Sequence, residues 1–139
     1  MLTDTNKAAV RRFNEEVIAA GNRAVFEALV APDFINRSAS PGMVNGPESM
    51  WNTFENMLRP ALSGLKVIIH DQIAQGDLVT TRKTISGQHT GQLMDVAATH
   101  KIVSIDVIDI VRLEDGRYVE HWGLNTLSTV LAALRGIDS

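Results

Sequence analysis

The sequence predicts an α+β protein in which helices come first and a curved antiparallel sheet follows. Three observations predict it. Apolar residues recur every three or four positions in the first half, they alternate with polar residues in the second half, and glycines interrupt the alternating segments. Glycines inside strands favour bends and bulges, which curl a sheet. Helices packed against the concave side of such a sheet would enclose an internal pocket, where we expect a ligand to bind.

Three helices are predicted in the first half of the chain. The first has Thr3 or Asp4 as its N-cap and stops at Gly21. The second ends before Pro32, and the third ends at Pro60. The apolar faces of the three helices are formed by Val10, Phe13 and Val17, by Val25, Phe26, Leu29 and Val30, and by Met50 or Trp51, Phe54 and Met57 or Leu58.

Short turn signals separate the predicted strands. Gly76 and the Asp115-Gly116 pair are typical of tight turns, and small residues at 38–42 predict a loop. A last helix carries a stripe of leucines and stops at Gly136. The predicted strands span residues 33–37, 65–70, 79–93, 101–113 and 117–123.

The composition excludes several classes of protein. The 139 residues have the size of one domain, and we expect residues 1–139 to form a single domain. With 13 Lys and Arg against 16 Asp and Glu, the net charge is −3, and no basic cluster indicates nucleic-acid binding. The lack of cysteine excludes disulfides and thiolate chemistry. No apolar run approaches the ~18 residues of a membrane span and no signal peptide is evident, so we expect a cytoplasmic protein.

One predicted strand carries a single polar residue in an apolar row. The inward row of residues 101–113 contains only Val, Ile and Leu, apart from Asp109. Aspartate is rarely buried unless it is paired, so Asp109 needs a partner or a solvated cavity. A three-residue hairpin loop at 114–116 would place Asp109 opposite His121 and match apolar residues across the two strands, whereas a two-residue loop would match apolar residues with charged ones.

An aspartate beside a histidine is a candidate catalytic pair. The carboxylate holds one imidazole tautomer and raises its basicity, which suits general acid or base catalysis near neutral pH. The two groups would titrate as one coupled unit. An idle structural pair explains the two residues equally well. The sequence has no Gly-rich phosphate loop, no G-x-S-x-G motif and no histidine spacing typical of metal sites, so nucleotide, triad-hydrolase and metal chemistry are not predicted.

His89 is a further candidate with an alternative interpretation. It shares the parity of Ile85 in the third predicted strand. A loop closed by Leu93 and Lys101 would place Ile85 opposite Asp109 and turn His89 towards the same face. An ordinary histidine near a strand end is the competing interpretation.

The remaining side chains of the expected site are mostly apolar. Lys83 also shares the parity of the inward row, but a long lysine reaches water from many positions, so it receives no role. The side chains that we expect to contact a ligand are Asn36, His89, Trp51, Phe54, Phe13 and Val107.

Several segments together resemble a known family. They are KAAVRRF at 7–13, LVAPDF at 29–34, GPE at 46–48, AQGD at 74–77, GQHTG at 87–91, DIVRLEDGR at 109–117 and VEHW at 119–122. In this order and spacing, over about residues 6–135, the chain resembles the SnoaL-like polyketide cyclases of the nuclear-transport-factor-2-like superfamily, which have cone-shaped α+β folds.

The resemblance implies a small dimeric cone with an apolar pocket and neither a metal nor an organic cofactor. The implied reaction is an intramolecular aldol closure, in which an acid/base side chain takes a proton from the carbon next to a carbonyl and polar groups stabilise the enolate. The matching positions are Asn36, Asp109 and His121, with His89 nearby. The sequence departs from the family where Gly123 replaces the acid/base aspartate and where Asp109 replaces a histidine.

We therefore expect a cyclase-like or isomerase-like enzyme acting on a small apolar carbonyl or aromatic compound, with Asp109 and His121 as catalytic residues. The alternatives are a ligand-binding domain of the same fold without turnover, and a purely structural dimerisation domain with a filled interior. Apolar residues on the outer face of the sheet favour a homodimer. They are Ile102, Ile108 and Ile110, with Leu78 and Trp122 beside them.

Overall fold

Helices cover one face of a curved, open sheet in the computed structural model, which describes residues 1–39 and 41–136. Ser40, in the predicted loop at 38–42, and residues 137–139 lie outside the described residues. The described part of the chain has four helices and five strands, which confirms the α+β class. The helices are α1 (Leu2–Arg12, continued as a π-helix over Phe13–Ala19), α2 (Arg23–Leu29), α3 (Pro47–Asn52, continued over Thr53–Leu58 and Arg59–Ala61) and α4 (Leu127–Leu134). The strands are β1 (Val30–Asn36), β2 (Leu62–Gln75), β3 (Leu78–His89), β4 (Ile102–Glu114) and β5 (Arg117–Asn125).

The strands lie in the order β1-β5-β4-β3-β2. Neighbouring strands are antiparallel except for β1, which runs parallel to β5. β1 begins earlier than predicted and contains Pro32, which an edge strand tolerates because one side of its backbone is unpaired. The register of β2 against β3 shifts twice, between Ser63 and Lys66 and between Ile69 and Asp71. Such irregularities bend the strand and help to curve the sheet.

The first helix begins earlier than its predicted cap. α1 starts at Leu2, so Thr3 and Asp4 lie inside its first turn and the predicted N-cap is wrong. The main-chain carbonyl of Met1 accepts the first helical hydrogen bond instead. The predicted stop at Gly21 is confirmed, since its φ of 71° is left-handed and favours glycine.

The third strand ends before its predicted boundary. The predicted segment 79–93 is regular only to His89. Beyond it the chain crosses closely over the end of α3, where Gly91 N donates to Ala61 O at 3.1 Å and a Cβ at Gly91 would overlap Pro60 O. The connection to β4 therefore runs over residues 90–101 and is longer than the predicted loop between Leu93 and Lys101.

The core fills the space between the helices and the concave face of the sheet. Phe13 of α1 stacks on Tyr118 of β5 with ring centroids 4.4 Å apart, which ties the first helix to the sheet. No described helix is long and apolar enough to cross a membrane. The buried side chains of this core include Val10, Phe13, Val17, Phe26, Phe34, Val79, Val111, Leu113 and Tyr118.

Candidate active site

An internal cavity of about 200 Å³ lies between α3 and the concave face of β3, β4 and β5. A volume of this size suits a small organic molecule rather than a polymer. Within residues 1–39 and 41–136, no three histidine or acidic side chains converge as metal ligands. The apolar walls are formed by Met50, Phe54, Met57, Ile85, Ile105 and Val107, and the polar groups include Asn36, Lys83, Asp109 and His121.

The hairpin between β4 and β5 turns through two residues, so the predicted three-residue loop is wrong. Asp115 and Gly116 both have left-handed φ angles, 52° and 77°, and Glu114 pairs with Arg117. Two successive positive φ angles are typical of the type I′ turn that an Asp-Gly sequence favours.

A bulge in β5 then reverses the effect of the shorter turn. Val119 is an extra residue between the pairs Leu113–Tyr118 and Arg112–Glu120. A shift of one residue moves the following side chains to the other face of a strand. Beyond the bulge, each side chain of β5 therefore lies on the face of the sheet that the predicted three-residue loop would have given it.

Asp109 and His121 are diagonal neighbours on the concave face. Asp109 pairs with Gly123 and His121 pairs with Val111. His121 Nε2 lies 3.3 Å from Asp109 Oδ2. The two side chains thus meet inside the cavity, although the register that brings them together differs from the predicted one.

A third charged side chain, Lys83, joins this pair. β3 places Thr81 opposite Asp109, so the predicted pairing of Ile85 with Asp109 is wrong by four residues, because the loop after β3 is longer than expected. Lys83 Nζ consequently lies next to the carboxylate. It donates to Asp109 Oδ2 at 3.1 Å and to Asn14 Oδ1 at 2.7 Å.

Sequence reasoning gave Lys83 no role, although a signal was available. Lys83 has the parity of Val79 and Ile85, both of which are buried, so it is a charged residue in an inward row, as Asp109 is. Applying the same rule to both strands would have found it.

Burial and charge act in opposite directions on the carboxyl group. The side chains of Lys83 and Asp109 are 4% and 6% exposed, and that of His121 is 20% exposed. Burial raises the pKa of Asp109, but the Lys83 charge and the hydrogen bond from His121 outweigh it, so the pKa of the carboxyl is lowered. Burial, and then the nearby Asp109 charge, hold the pKa of Tyr118 well above its usual value.

Asn36 orients the imidazole from the end of β1. Its Oδ1 accepts a hydrogen bond from Ser38 N at 3.1 Å, which fixes the orientation of the amide, and lies 3.0 Å from His121 Nδ1. Because Oδ1 can only accept, Nδ1 of His121 carries a proton. Asn36 Nδ2 has no hydrogen-bond partner in the described part of the protein, so it is a donor available to a ligand.

The other side chains predicted to contact a ligand divide into two groups. Phe54 and Val107 line the cavity together with Asn36. Phe13, Trp51 and His89 do not line it, and their predicted placement there is wrong. Phe13 stacks on a ring of β5, and Trp51 packs 5.2 Å from a phenylalanine ring of α2. His89 is fully buried and its Nδ1 accepts a main-chain N–H from the loop before β4.

The fold agrees with the comparison against protein families. The family model of the SnoaL-like polyketide cyclases matches residues 8–134, and the chain belongs to this family. No curated protein matches the chain.

Solved structures share the fold at low sequence identity. TsrD from Streptomyces laurentii is 21% identical with a TM-score of 0.83, and the match covers 97% of each chain. A candidate SnoaL-like polyketide cyclase from Jannaschia sp. CCS1 is 24% identical with a TM-score of 0.82, covering 96% of this chain and 93% of that one. AclR from Streptomyces galilaeus, a candidate hydroxylase, is 23% identical with a TM-score of 0.84, covering 99% of this chain and 88% of that one. These likenesses establish the cone-shaped fold, which hosts more than one chemistry.

Gly123 leaves room for the Asp109–His121 contact. A Cβ at this position would lie 3.0 Å from His121 Cε1 and 3.4 Å from Asp109 Cβ. The first distance is tighter than ordinary packing, so a side chain at 123 would press on the imidazole ring. The glycine and the position of His121 are therefore linked.

Proposed function

We propose that the protein is an enzyme that, without a cofactor, removes a proton from the carbon next to a carbonyl in a small apolar or aromatic compound. The resulting enolate then closes a ring in an intramolecular aldol-type reaction, or is reprotonated elsewhere to give an isomer. Membership of the SnoaL-like family and the apolar cavity support this reaction class.

His121 and Asp109 are the proposed acid/base pair. With His121 neutral and Asp109 ionised, the imidazole takes a proton from the ligand, Asp109 stabilises the imidazolium that forms, and His121 later returns the proton to the enolate. Asn36 Nδ2 is the proposed donor to the developing oxyanion. Oδ1 of the same amide is already hydrogen-bonded, whereas Nδ2 has no partner among the described residues. Phe54 and Val107 are the proposed apolar contacts of the ligand.

The observation that carries this proposal is the position of a hydrogen-bonded aspartate and histidine against an apolar cavity. A pair that only stabilised the fold would not need a cavity beside it. Here His121 Nε2 lies 3.3 Å from Asp109 Oδ2, and both side chains line the space in which a small molecule fits.

Hydrogen–deuterium exchange tests the proton transfer without knowledge of the natural substrate. A panel of aromatic and polyketide-like ketones is incubated with the protein in D₂O, and mass spectrometry measures deuterium at the carbon next to the carbonyl. We expect Asp109→Asn and His121→Ala to lower the exchange rate by about 10²–10⁴-fold. Asp106→Asn, on the exposed side of the same strand, and His70→Ala, on the surface, should leave it unchanged. Unchanged exchange in both pair variants would remove the pair from the mechanism.

A ligand-binding protein without turnover is the second candidate. Gly123 supports it, because the resemblance to the cyclases places an acid/base aspartate at this position. Isothermal titration calorimetry with the same ketones would detect binding. Binding without deuterium exchange across the panel would favour this candidate over the enzyme.

We also propose that a second copy of the chain covers the outer face of the sheet. Ile102 and Ile108 are 74% and 54% exposed there, and large exposed apolar areas on a sheet favour association. Sedimentation should show a dimer at micromolar concentration, and Ile108→Asp should convert it to a monomer. A monomeric wild-type protein would contradict the proposal.

A further inference from the structure

Lys83 is enclosed at a position where a lysine is costly. Its side chain is 4% exposed and lies on the inner face of β3, between the first helix and the sheet. A buried ion pair often stabilises a protein no more than apolar side chains of the same volume, because both charges lose their water. The stability of the fold therefore does not require a lysine here. Its contact with Asp109 instead places it where it acts on proton binding by the Asp109–His121 pair.

Two acceptors hold the ammonium group of Lys83 in place. Asn14 Nδ2 donates to Val10 O at 2.8 Å, which fixes the orientation of the amide, and Asn14 Oδ1 accepts from Lys83 Nζ at 2.7 Å. Lys83 Nζ also donates to Asp109 Oδ2 at 3.1 Å. The first helix and β4 thus anchor the ammonium from two sides, so its charge stays beside the carboxylate.

The carboxylate of Asp109 makes its contacts through one oxygen. Lys83 Nζ and His121 Nε2 both contact Oδ2, at 3.1 and 3.3 Å, whereas Oδ1 is buried and has no hydrogen-bond partner among the described residues. Burial raises the pKa of Asp109, and the charge of Lys83 is the largest of the effects that lower it. The ionised state of the carboxylate therefore depends on Lys83 more than on any other residue.

A proton taken up by the pair would lie beside this ammonium. Nδ1 of the neutral His121 ring already carries a proton, because it faces Asn36 Oδ1. The next proton therefore binds at Nε2, beside Asp109 Oδ2, which is the oxygen that Lys83 also contacts. Two positive charges that share one carboxylate oxygen repel each other, so Lys83 disfavours the protonated form of the pair.

The other side chains around the pair do not compensate for this charge. Tyr118 of β5 stays neutral, because burial and then the Asp109 charge raise the pKa of its phenol. Asn14 and Asn36 are neutral amides. Within the described residues, the parts of α3 and α4 that line the cavity contribute no ionisable side chain. The lysine and the pair alone therefore determine the charge at this point of the cavity.

We propose that Lys83 is a positioning residue that keeps the Asp109–His121 pair free of the extra proton, and so able to act as a base, at a lower pH than the pair alone would allow. Lys83 acts through the pair and does not itself need to contact the substrate. The inference rests on the proposed function for the role of the pair as a base. Its effect on proton binding is present without any substrate.

Proton binding by His121 measures this effect directly. NMR of the imidazole as a function of pH gives the midpoint of its protonation, and the spectrum of His121→Ala identifies the signals. Lys83→Met should raise the midpoint by about one pH unit or more. Lys83→Gln keeps a hydrogen-bonding side chain without the charge, so it should raise the midpoint similarly, and it replaces the methionine variant if that does not fold. Lys66→Met removes an exposed lysine of β2 and should leave the midpoint unchanged.

The outcomes separate charge from hydrogen bonding, and the role of Lys83 from the proposed function. A midpoint that stays the same, falls, or moves no further than in Lys66→Met would overturn the proposal. So would a rise in Lys83→Met with no rise in a folded Lys83→Gln, because hydrogen bonding would then explain it. In deuterium exchange, the acid limb of the pH profile should move in the same direction as the midpoint. A shifted midpoint without exchange in the wild-type protein would refute only the proposed function, and normal exchange with an unmoved midpoint would refute only the role of Lys83.

Discussion

Two consecutive residues of β5, Glu120 and His121, belong to charge clusters on opposite faces of the sheet. On the outer face, Glu120 accepts from Arg37 Nε at 2.8 Å and from Arg112 Nε at 2.6 Å. On the inner face, His121 and Lys83 both contact Asp109 Oδ2, at 3.3 and 3.1 Å. The hydrogen bonds of the outer cluster are the shorter ones, so contact distance alone would rank the outer cluster as the stronger.

Burial reverses that ranking. Arg112 is 30% exposed at its side chain, so water screens its charge, whereas the side chains of Lys83 and Asp109 are almost fully enclosed. In both clusters the pKa of the acid is lowered, by hydrogen bonds from Arg37 and Arg112 to Glu120 and, at Asp109, against the opposing effect of burial. Only in the inner cluster does removing one member leave a buried charged group without its counter-charge. The comparison indicates that the inner cluster affects stability and chemistry, while the outer cluster contributes little to either.

The largest expected effect comes from removing the inner carboxylate. Asp109→Ala leaves the Lys83 ammonium buried without its counter-charge, and we expect the free energy of unfolding to fall by about 3–5 kcal/mol. Urea denaturation measures this. Asp106→Ala, on the exposed side of the same strand, should cost no more than about 0.5 kcal/mol. Equal losses for the two variants would show that burial does not separate the clusters.

Lowering the pH should remove part of the stabilisation that Asp109 contributes to the folded protein. The pKa of Asp109 is lower in the folded protein than its unfolded value of about 3.9. The carboxylate therefore contributes its full stabilisation above that pH, and the contribution is lost as the pH falls through the folded-state pKa. Urea midpoints measured from about pH 5 to pH 2 should fall more steeply for the wild-type protein than for Asp109→Asn. Parallel curves would contradict an ionised Asp109 in the folded state.

A smaller effect is expected at the glycine beside the pair. Gly123→Ala places a methyl group 3.0 Å from His121 Cε1, so the imidazole ring must shift to make room for it. We expect a loss of about 1–3 kcal/mol in the free energy of unfolding and a clear reduction in deuterium exchange. Gly46→Ala is a suitable control, because a Cβ there meets nothing within 4 Å. Unimpaired exchange in Gly123→Ala would show that the ring position does not matter.

The smallest effect is expected on the outer face. Glu120→Gln removes the acceptor charge of Arg37 and Arg112, but both arginines remain hydrated and Arg112 keeps Glu114 at 2.8 Å. Stability should change little, the change should vanish at high salt, and exchange should be unaffected. A loss comparable with that of Asp109→Ala would mean that the surface network is a principal stabilising element.

Much of the fold followed from local patterns, because periodicity and turn residues report which face of an element is buried. The apolar stripe of the first helix, the stop at Gly21 and the inward row of β4 are all local signals, and the structure agrees with them. The prediction that Asp109 and His121 meet depended only on which face of its strand each residue occupies. The predicted face of each residue was correct although the predicted loop length was wrong, because the shorter turn and the bulge at Val119 each shift the strand by one residue and offset each other.

Properties that depend on distant packing could not be read in the same way. The β3–β4 register was displaced by four residues because the end of β3 is set where Gly91 crosses α3, a contact between segments about thirty residues apart. That displacement moved His89 away from the cavity. Lys83 was missed for a different reason. Its parity with Val79 and Ile85 indicated the inner face, but the length of a lysine side chain was taken to let it reach water.

The central claim is that Asn36 Oδ1 fixes the tautomer of His121, so that Nδ1 of the imidazole carries the proton and Nε2 faces Asp109. Nitrogen-15 NMR of the imidazole reports the tautomer directly, with the His121→Ala spectrum identifying the signals. The account predicts that Nδ1 of the neutral imidazole is protonated. A neutral imidazole with its proton on Nε2 would contradict it.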